Sequence, residues 1–336
     1  MKVIEIVRYG APEEACDCVE APDLPAPGAG EIVADVEAFP LNPADLHTLA
    51  GNYAVRPPLP ARLGAEAVGR ISAVGPDVAG LAVGDRVIFR CRENWASRRH
   101  VKAGDVLRLP AALQGDVPAD LVLQAAMLKV NPATALLMLR NYVTPAAGEW
   151  VIQNAANSAV GTHLARMAAA EGWRTINVVR SDAAAEVVRA AGGDAVVRDG
   201  PDLAAAVAKV AGGARIALGI DALAGAHTGR LADCLSDGAT LVNYGRLTDK
   251  ECHVEARHFI YRGLALTGFW LSPALVRIGP AATAALYADL AGRIASGALR
   301  APVEATYPIE RIREAVAHAH RGGRAGKILV TPNGPL

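Results

Sequence analysis

Six short apolar runs dominate the second half of this chain, and alanine-rich stretches separate them. The runs are WVIQNA (150–155), TINVV (175–179), DAVV (194–197), RIALGID (215–221), ATLVNYG (239–245) and LALTGFW (264–270). Between them lie GTHLARMAAAEG (161–172), AAAEVVRAAGG (183–193), PDLAAAVAKVAGG (201–213) and AGAHTGRLADCLSDG (224–238). A strand covered on both faces reads as a continuous apolar run, and parallel neighbours need a long, usually helical, crossover. Six such strands predict an α/β fold with a doubly wound parallel sheet and right-handed connections.

The first third has another texture. It is rich in Gly and Pro, with short β-like runs such as EIVADVEAF (31–39), AVGRISAVG (67–75) and GDRVIF (84–89). Turn residues bound each run, which suits a partly barrel-like β domain. The change of texture falls near residue 122. After residue 275 come a long helix (AATAALYADLAGRIASG), a strand (VEATYPI), a helix (ERIREAVAHAH) and a strand (GKILVT). This ending is more like the beginning than the middle, so it is expected to rejoin the first domain. A chain of 336 residues suits two domains.

Charge narrows the function classes. Lys plus Arg number 34 and Asp plus Glu number 34. A general nucleic-acid binder draws its affinity from a basic face, and no overall excess is present. No apolar run reaches the length of a membrane span. The opening MKVIEIVRYG enters strand-like alternation at once, without a signal or transit pattern, which leads to the expectation of a cytoplasmic protein. The five cysteines (Cys16, Cys18, Cys91, Cys234, Cys252) are odd in number and scattered, so no disulfide framework is expected. Cys16 and Cys18 are separated by one residue, too close for a usual zinc knuckle.

The loop NAANSAVG (154–161) follows the first run and precedes a helix. It keeps the spacing of G-x-G-x-x-G, with Ala156 and Ser158 in the first two glycine places and Gly161 in the third. That motif lets backbone N–H groups at a helix N-terminus approach a pyrophosphate, which requires small side chains. Asn157 and Ser158 can also donate to phosphate. An ordinary strand–helix turn is the alternative. The next strand ends in Arg180, 24 residues after Ala156, where an NAD site carries Asp or Glu. A cation there suits the 2′-phosphate of NADP, and Ser181 adds a hydroxyl. The alternative for Arg180 is a solvated loop residue.

At this point the sequence resembles a known family. GAEAVGRISAVGPDVAGLAVGDRVIF (64–89), Tyr244-Gly245 and the terminal GKILV are similar to the medium-chain dehydrogenase/reductase superfamily, nearly end to end. Within it, LNPADLHTLAGNY (41–53), VNPATALLML (130–139), VIQNAANSAVG (151–161), RTINVVR (174–180) and GFWLS (268–272) resemble the 2-enoyl thioester reductases. The resemblance implies a GroES-like catalytic domain (1–121 and 273–336) and a Rossmann domain (122–272), with the active site in the cleft between them. It implies NADPH as cofactor and a homodimer paired through the edge strand LALTGFW.

Zinc dehydrogenases of the superfamily carry His after the Gly of their "GHE" motif and Cys near the position of Asn42 or Pro43. Here the motif is Gly64-Ala65-Glu66 and the structural cysteine lobe is absent, so no metal is expected. His47 is the remaining nominee, and a lone loop His is more often a polar contact. A zinc-free NADPH enzyme of this kind can reduce a C=C conjugated to a carbonyl. The resemblance makes Tyr53 the catalytic acid or enolate partner, with packing as its alternative. It makes Asn42 the residue that orients Tyr53 or the nicotinamide ribose. It also places Asn131, Thr134, Val160, Tyr244, Gly245, Phe269, Trp270 and Lys327 at the cofactor. Trp270 flanks the nicotinamide or acyl channel, or else closes the sheet edge or a dimer contact. Phe269 has the core or a dimer contact as its alternative, and Lys327 has solvent. Lys129 stands where relatives have a small residue; it reaches a substrate phosphate or faces solvent. Arg90, Arg92, Arg98, Arg99 and His100, around Trp95, form a basic cluster that either receives CoA phosphates or an acyl carrier protein, or is simply solvated. The function implied is reduction of 2-enoyl thioesters carried on CoA or acyl carrier protein. A quinone or small-enone reductase and a non-catalytic NADPH-binding protein remain as alternatives.

Overall fold

The computed structural model describes residues 1–336 and divides into two compact units. The first comprises Met1–Val130 and Ala284–Leu336, the second Asn131–Thr283. The first unit opens with β1 (Lys2–Ile6), β2 (Cys16–Glu20), β3 (Glu31–Pro40), helix α1 (Pro43–Leu49), β4 (Ala61–Arg62), β5 (Val68–Val74), β6 (Arg86–Phe89), β7 (Arg98–Lys102), β8 (Val106–Arg108) and helix α2 (Ala119–Ala126). β3 is the spine. Its inward residues Ile32, Ala34 and Val36 are fully buried, and it pairs antiparallel with both β5 and β7. Phe39 stacks on Trp95 with ring centroids 5.5 Å apart, at the centre of the apolar core.

The second unit runs α3 (Asn131–Asn141), β9 (Trp150–Gln153), α4 (Ala159–Ala170), β10 (Arg174–Val179), α5 (Asp182–Ala190), β11 (Ala195–Arg198), α6 (Leu203–Ala211), β12 (Ile216–Asp221), α7 (Ala226–Cys234), β13 (Thr240–Asn243), α8 (Ala256–Ile260), β14 (Ala265–Gly268) and α9 (Leu271–Ala295). All six apolar runs are strands. Their order is β11-β10-β9-β12-β13-β14, with every neighbour parallel. The winding reverses between β9 and β12, where the carboxyl ends of such strands leave a crevice for ligands. β9 and β12 are buried along their whole lengths, which explains their unbroken apolar character.

The chain returns to the first unit within α9, at Ala284, and continues there through β15 (Val303–Tyr307), α10 (Ile312–His320) and β16 (Lys327–Val330). β16 pairs antiparallel with the end of β3, with Leu329 opposite Pro40. The seven-stranded sheet of this unit has the order β15-β16-β3-β5-β6-β8, with β7 also on β3.

The units divide nine and eleven residues beyond the expected boundaries at 121 and 272. α2 stays with the first unit because Gln124 is buried and forms paired bonds with the backbone of Ala301, at 3.0 and 2.9 Å. α9 is two helices joined by a kink, with Gly279 at φ 81° followed by Pro280. The hydroxyl of Thr283 donates back to the Leu275 carbonyl at 3.3 Å, so the chain leaves the second unit only after that kink. No single helix is long and apolar enough to cross a membrane.

Candidate active site

In the second unit the loop between β9 and α4 is shaped by backbone more than by side chains. Ser158 caps α4, its Oγ accepting the Gly161 N–H at 3.1 Å, and Tyr244 hydrogen-bonds Ser158. Burial pushes the Tyr244 phenol above its ordinary pKa. The one glycine of the motif is the one that sterics demand. A Cβ at 161 would stand 2.5 Å from the Ala156 carbonyl oxygen. The tight turn itself falls on Ala155, with φ 46°, one residue before the first expected glycine place. A non-glycine residue there is strained. The buried Gln153 amide fixes the loop from beneath, donating to the carbonyl of Gly161 at 2.9 Å and to Asn177 at 2.7 Å.

The neighbouring strand ends are tied together by two residues that the spacing argument did not single out. Asn154 Nδ2 donates to Asp221 Oδ1 at 2.6 Å, and Asn154 Oδ1 accepts the Ala222 N–H at 2.8 Å. Asp221 is fully buried and also accepts from Thr228 and Asn243. Gly245 lies close to this junction, where a Cβ would meet the Ala222 carbonyl at 2.8 Å.

At the end of β10, the Arg180 guanidinium is exposed and makes no ion pair. Arg198, at the end of β11, folds over the same spot. Its guanidinium donates to the Arg180 carbonyl and to Asp182 Oδ1, each at 3.1 Å. Ser181 caps α5 by accepting the Ala184 N–H at 3.2 Å, leaving its own O–H to donate. The adjacent acid, Asp199, is already neutralised by Arg230, at 2.8 Å from each carboxylate oxygen, and by His227 at 2.6 Å. Burial works against the Asp199 charge, yet these bonds hold its pKa below the usual range. Two arginines therefore stand beside a hydroxyl, with only the exposed Asp182 opposing them, and a phosphate fits this chemistry. Arg198 escaped the sequence reading because it lies one strand beyond the motif.

Asn131 and Thr134 open α3 and are buried, and Asn131 Nδ2 has no partner. Such an orphaned donor fits a site built to hold a polar group. Val160 and Phe269 are buried, whereas Trp270 is 45% exposed.

The first unit carries a different construction, with four ionisable side chains and one amide enclosed together. Asn42 Nδ2 donates to Glu66 Oε1 at 2.9 Å, and the Val130 N–H donates to Glu66 Oε2 at 2.8 Å. Lys327 Nζ donates to Asn42 Oδ1 at 2.6 Å and to the Leu41 carbonyl at 2.9 Å. Asp45 accepts the Asn42 and Ala65 N–H groups at 3.0 and 3.2 Å. Lys129 Nζ donates to the carbonyls of Ala65 and Cys91 at 2.6 and 2.8 Å. Burial, eased by Asn42 and the nearby lysines, raises Glu66 to about 7. Burial, opposed by Glu66, lowers Lys129 and Lys327 to about 8 each. Asp45 is also raised by burial.

This arrangement corrects three expectations. Lys327 does not offer its charge to a phosphate or to solvent; β16 carries it into the core, and its ammonium binds Leu41 and Asn42. Asn42 does not orient Tyr53, because its amide is spent on Glu66 and Lys327. Lys129 reaches neither a phosphate nor open solvent; it belongs to the cluster. The basic surface group is also less open than its sequence suggests. Arg98 pairs with Asp35 at 2.9 Å, His100 with Glu31 at 2.8 Å, and Arg99 donates to the Arg92 carbonyl at 3.0 Å. Tyr53 is half-buried after α1, with the Arg92 guanidinium 5.9 Å from its ring centroid. His47 shares a hydrogen bond with Asn52 at 3.2 Å.

Comparison with known proteins sets this geometry in a family. The alcohol dehydrogenase GroES-like domain matches residues 28–117, and the zinc-binding dehydrogenase domain matches 159–281. A mitochondrial enoyl-[acyl-carrier-protein] reductase of Arabidopsis thaliana is 33% identical over 276 residues, covering 80% of this chain and 72% of the relative. The human protein of that name is 31% identical over 318 residues, covering 92% and 83%. The chain belongs to the medium-chain dehydrogenase/reductase superfamily. This superfamily member is an oxidoreductase with a GroES-like domain and a Rossmann sheet. Its fold matches an NADPH:quinone reductase of Bacillus thuringiensis with TM-score 0.88 at 24% identity, covering 98% of both chains. It matches Escherichia coli quinone oxidoreductase complexed with NADPH at 0.87 and 25%, covering 99% of this chain and 100% of the other. It matches the complex of Etr1p with NADP and crotonyl-CoA at 0.85 and 20%, covering 98% and 99%. Although one matching domain is described as zinc-binding, Ala65 has no donor atom on its side chain with which to hold the metal.

Proposed function

We propose that this superfamily member reduces the C=C of 2-enoyl thioesters with NADPH. The observation that carries this reading is identity above 30% with enoyl-[acyl-carrier-protein] reductases over most of both chains. When bound, the dinucleotide supplies a hydride to the β-carbon of the enoyl group. The chain's own residues do the rest. Ser158 and the N–H groups opening α4 receive the pyrophosphate. Arg180, Arg198 and Ser181 receive the 2′-phosphate and so favour NADPH over NADH. Tyr53 holds a proton at its hydroxyl and delivers it to the α-carbon, giving the saturated thioester. A neutral phenol can donate at pH 7 without bringing a competing charge. β14 pairs only with β13 and leaves Ala265, Leu266 and Gly268 exposed. Such an edge suits pairing with a second copy across a two-fold axis, so the working form is a homodimer.

A quinone or small-enone reductase is the second reading, favoured by the likeness to the two quinone reductase structures. Cofactor absorbance separates the two. Crotonyl-CoA oxidises NADPH, much faster than NADH, and Tyr53→Phe loses that activity. Reduction of a benzoquinone with crotonyl-CoA inert would transfer the reading to quinones. NADPH binding without turnover on either substrate would leave a non-catalytic nucleotide-binding protein.

A further inference from the structure

Lys129 is a half-buried cation that takes no part in the hydride or proton transfer. Both ends of the residue are fixed. Its carbonyl accepts the Tyr287 hydroxyl at 3.1 Å, and the next N–H, of Val130, is held by Glu66. Its ammonium bridges two segments that are remote in sequence, Gly64–Glu66 and the loop at Cys91–Arg92. The far end of that loop has its own tie, through Asn94 to the Gly64 carbonyl at 3.3 Å. At the near end, next to Arg92, the Cys91 carbonyl accepts from Asn94 Nδ2 at 2.9 Å as well as from Lys129, and Lys129 supplies the charged bond that carries it across to Ala65. Arg92 in turn lies over the ring of Tyr53.

We propose that Lys129 is a positioning residue for the proton-donating half of the reaction: its ammonium clamps Cys91–Arg92 onto Gly64–Glu66 and thereby holds Arg92 against Tyr53. This rests on the assignment of Tyr53 as proton donor. An ammonium aimed at two carbonyls is a charge-assisted clamp, and it weakens when the proton leaves. The groups facing that ammonium are Glu66, Cys91 and Asp45, which favour its charge, and Arg92, which opposes it. Desolvation outweighs the acids and brings Lys129 to about 8, so the clamp is closed at neutral pH and opens above that value. Lys327, from β16, binds Asn42 and Leu41 and takes no part in this clamp, so Lys129 is its one cation beside the neutral Asn94 amide.

The test compares full-length wild type, Lys129→Met, Lys129→Arg and Tyr53→Phe, each checked for folding by thermal unfolding and NADPH binding. Two readouts are taken: amide hydrogen exchange of residues 90–95 without substrate, and kcat and KM for crotonyl-CoA on either side of pH 8. In the expected result, Lys129→Met exchanges faster at 90–95. Its kcat falls by roughly tenfold or more, since small misplacements of a reacting group are costly. Its KM stays within about twofold, because the interaction lost is not a substrate contact. Wild-type kcat declines above pH 8. Lys129→Arg, whose guanidinium does not titrate there, restores part of kcat and removes that decline. The proposal fails if Lys129→Met keeps the exchange rates of wild type, or keeps its kcat and pH profile while Tyr53→Phe is inactive. Full activity in Tyr53→Phe removes the proton-donor assignment instead; faster exchange in Lys129→Met then retains the clamp alone, and unchanged exchange ends it as well.

Discussion

The proposed nucleotide loop and the buried charge cluster solve opposite problems. The loop at 154–161 uses small, neutral residues, so that little stands between its backbone and a ligand. Its determinants are contiguous, and its spacing can be read in one line of sequence. The cluster holds Glu66, Asp45, Lys129 and Lys327 inward, drawn from four distant segments. No spacing rule joins them, since each is a charge of a kind usually solvated. One site is specified by what its residues lack, the other by what they neutralise in one another.

That contrast can be broken in graded steps. The largest effect is expected from Lys327→Met. It removes a buried cation and leaves Asn42 Oδ1 and the Leu41 carbonyl without their donor, and breaking such an arrangement costs about 3 kcal/mol or more. Denaturant unfolding measures this, and an unchanged midpoint would show that the cluster does not depend on its cations. Gly161→Ala comes next. Its Cβ must displace the Ala156 carbonyl, and overpacking of this kind costs roughly 1–3 kcal/mol. NADPH titration is expected to show binding lost or severely weakened, since displacing the Ala156 carbonyl deforms the turn at Ala155. Arg180→Ala is smaller and selective. It raises the Kd for NADPH by about tenfold, as expected for a charge-assisted bond to phosphate, and leaves NADH unchanged. Equal losses for both nucleotides would move the 2′-phosphate elsewhere.

The two smallest effects sharpen the comparison. Glu66 keeps its proton up to about 7 in the folded state, against 4.5 when unfolded. The stability it contributes is therefore complete below 4.5 and is lost as pH rises through 7. Glu66→Gln is expected to flatten that part of the stability–pH curve, read from unfolding midpoints at several pH values. Ala155→Gly relieves the positive φ in the loop. Stability should rise by a few tenths to about 1 kcal/mol, the strain of a left-handed alanine offset by the added freedom of glycine in the unfolded chain.

Much of the fold was legible because burial on both faces writes itself as uninterrupted apolar runs. All six parallel strands follow from WVIQNA through LALTGFW, and so does the place of Arg180 directly after β10. The unit boundaries were not legible, since Gln124 reads as an ordinary polar helix residue until Ala301 is seen beside it. Lys129 and Lys327 are hard to place for a related reason: the sequence shows a long charged side chain but not the carbonyls that receive it. Asp199 and Arg198 lay beyond the reach of the motif because adjacency at the end of a sheet depends on strand order, not on chain distance.

The lysine in β16 has a further consequence for how the protein is made. Lys327 lies 285 residues after the amide it binds. A ribosome delivers Asp45 and Glu66 more than 250 residues before their second cation, whereas the residues of the parallel sheet are all synthesised by 268. The nucleotide-binding half can thus mature on the nascent chain while the half that carries Tyr53 waits, its acids incompletely matched, for β16 to emerge.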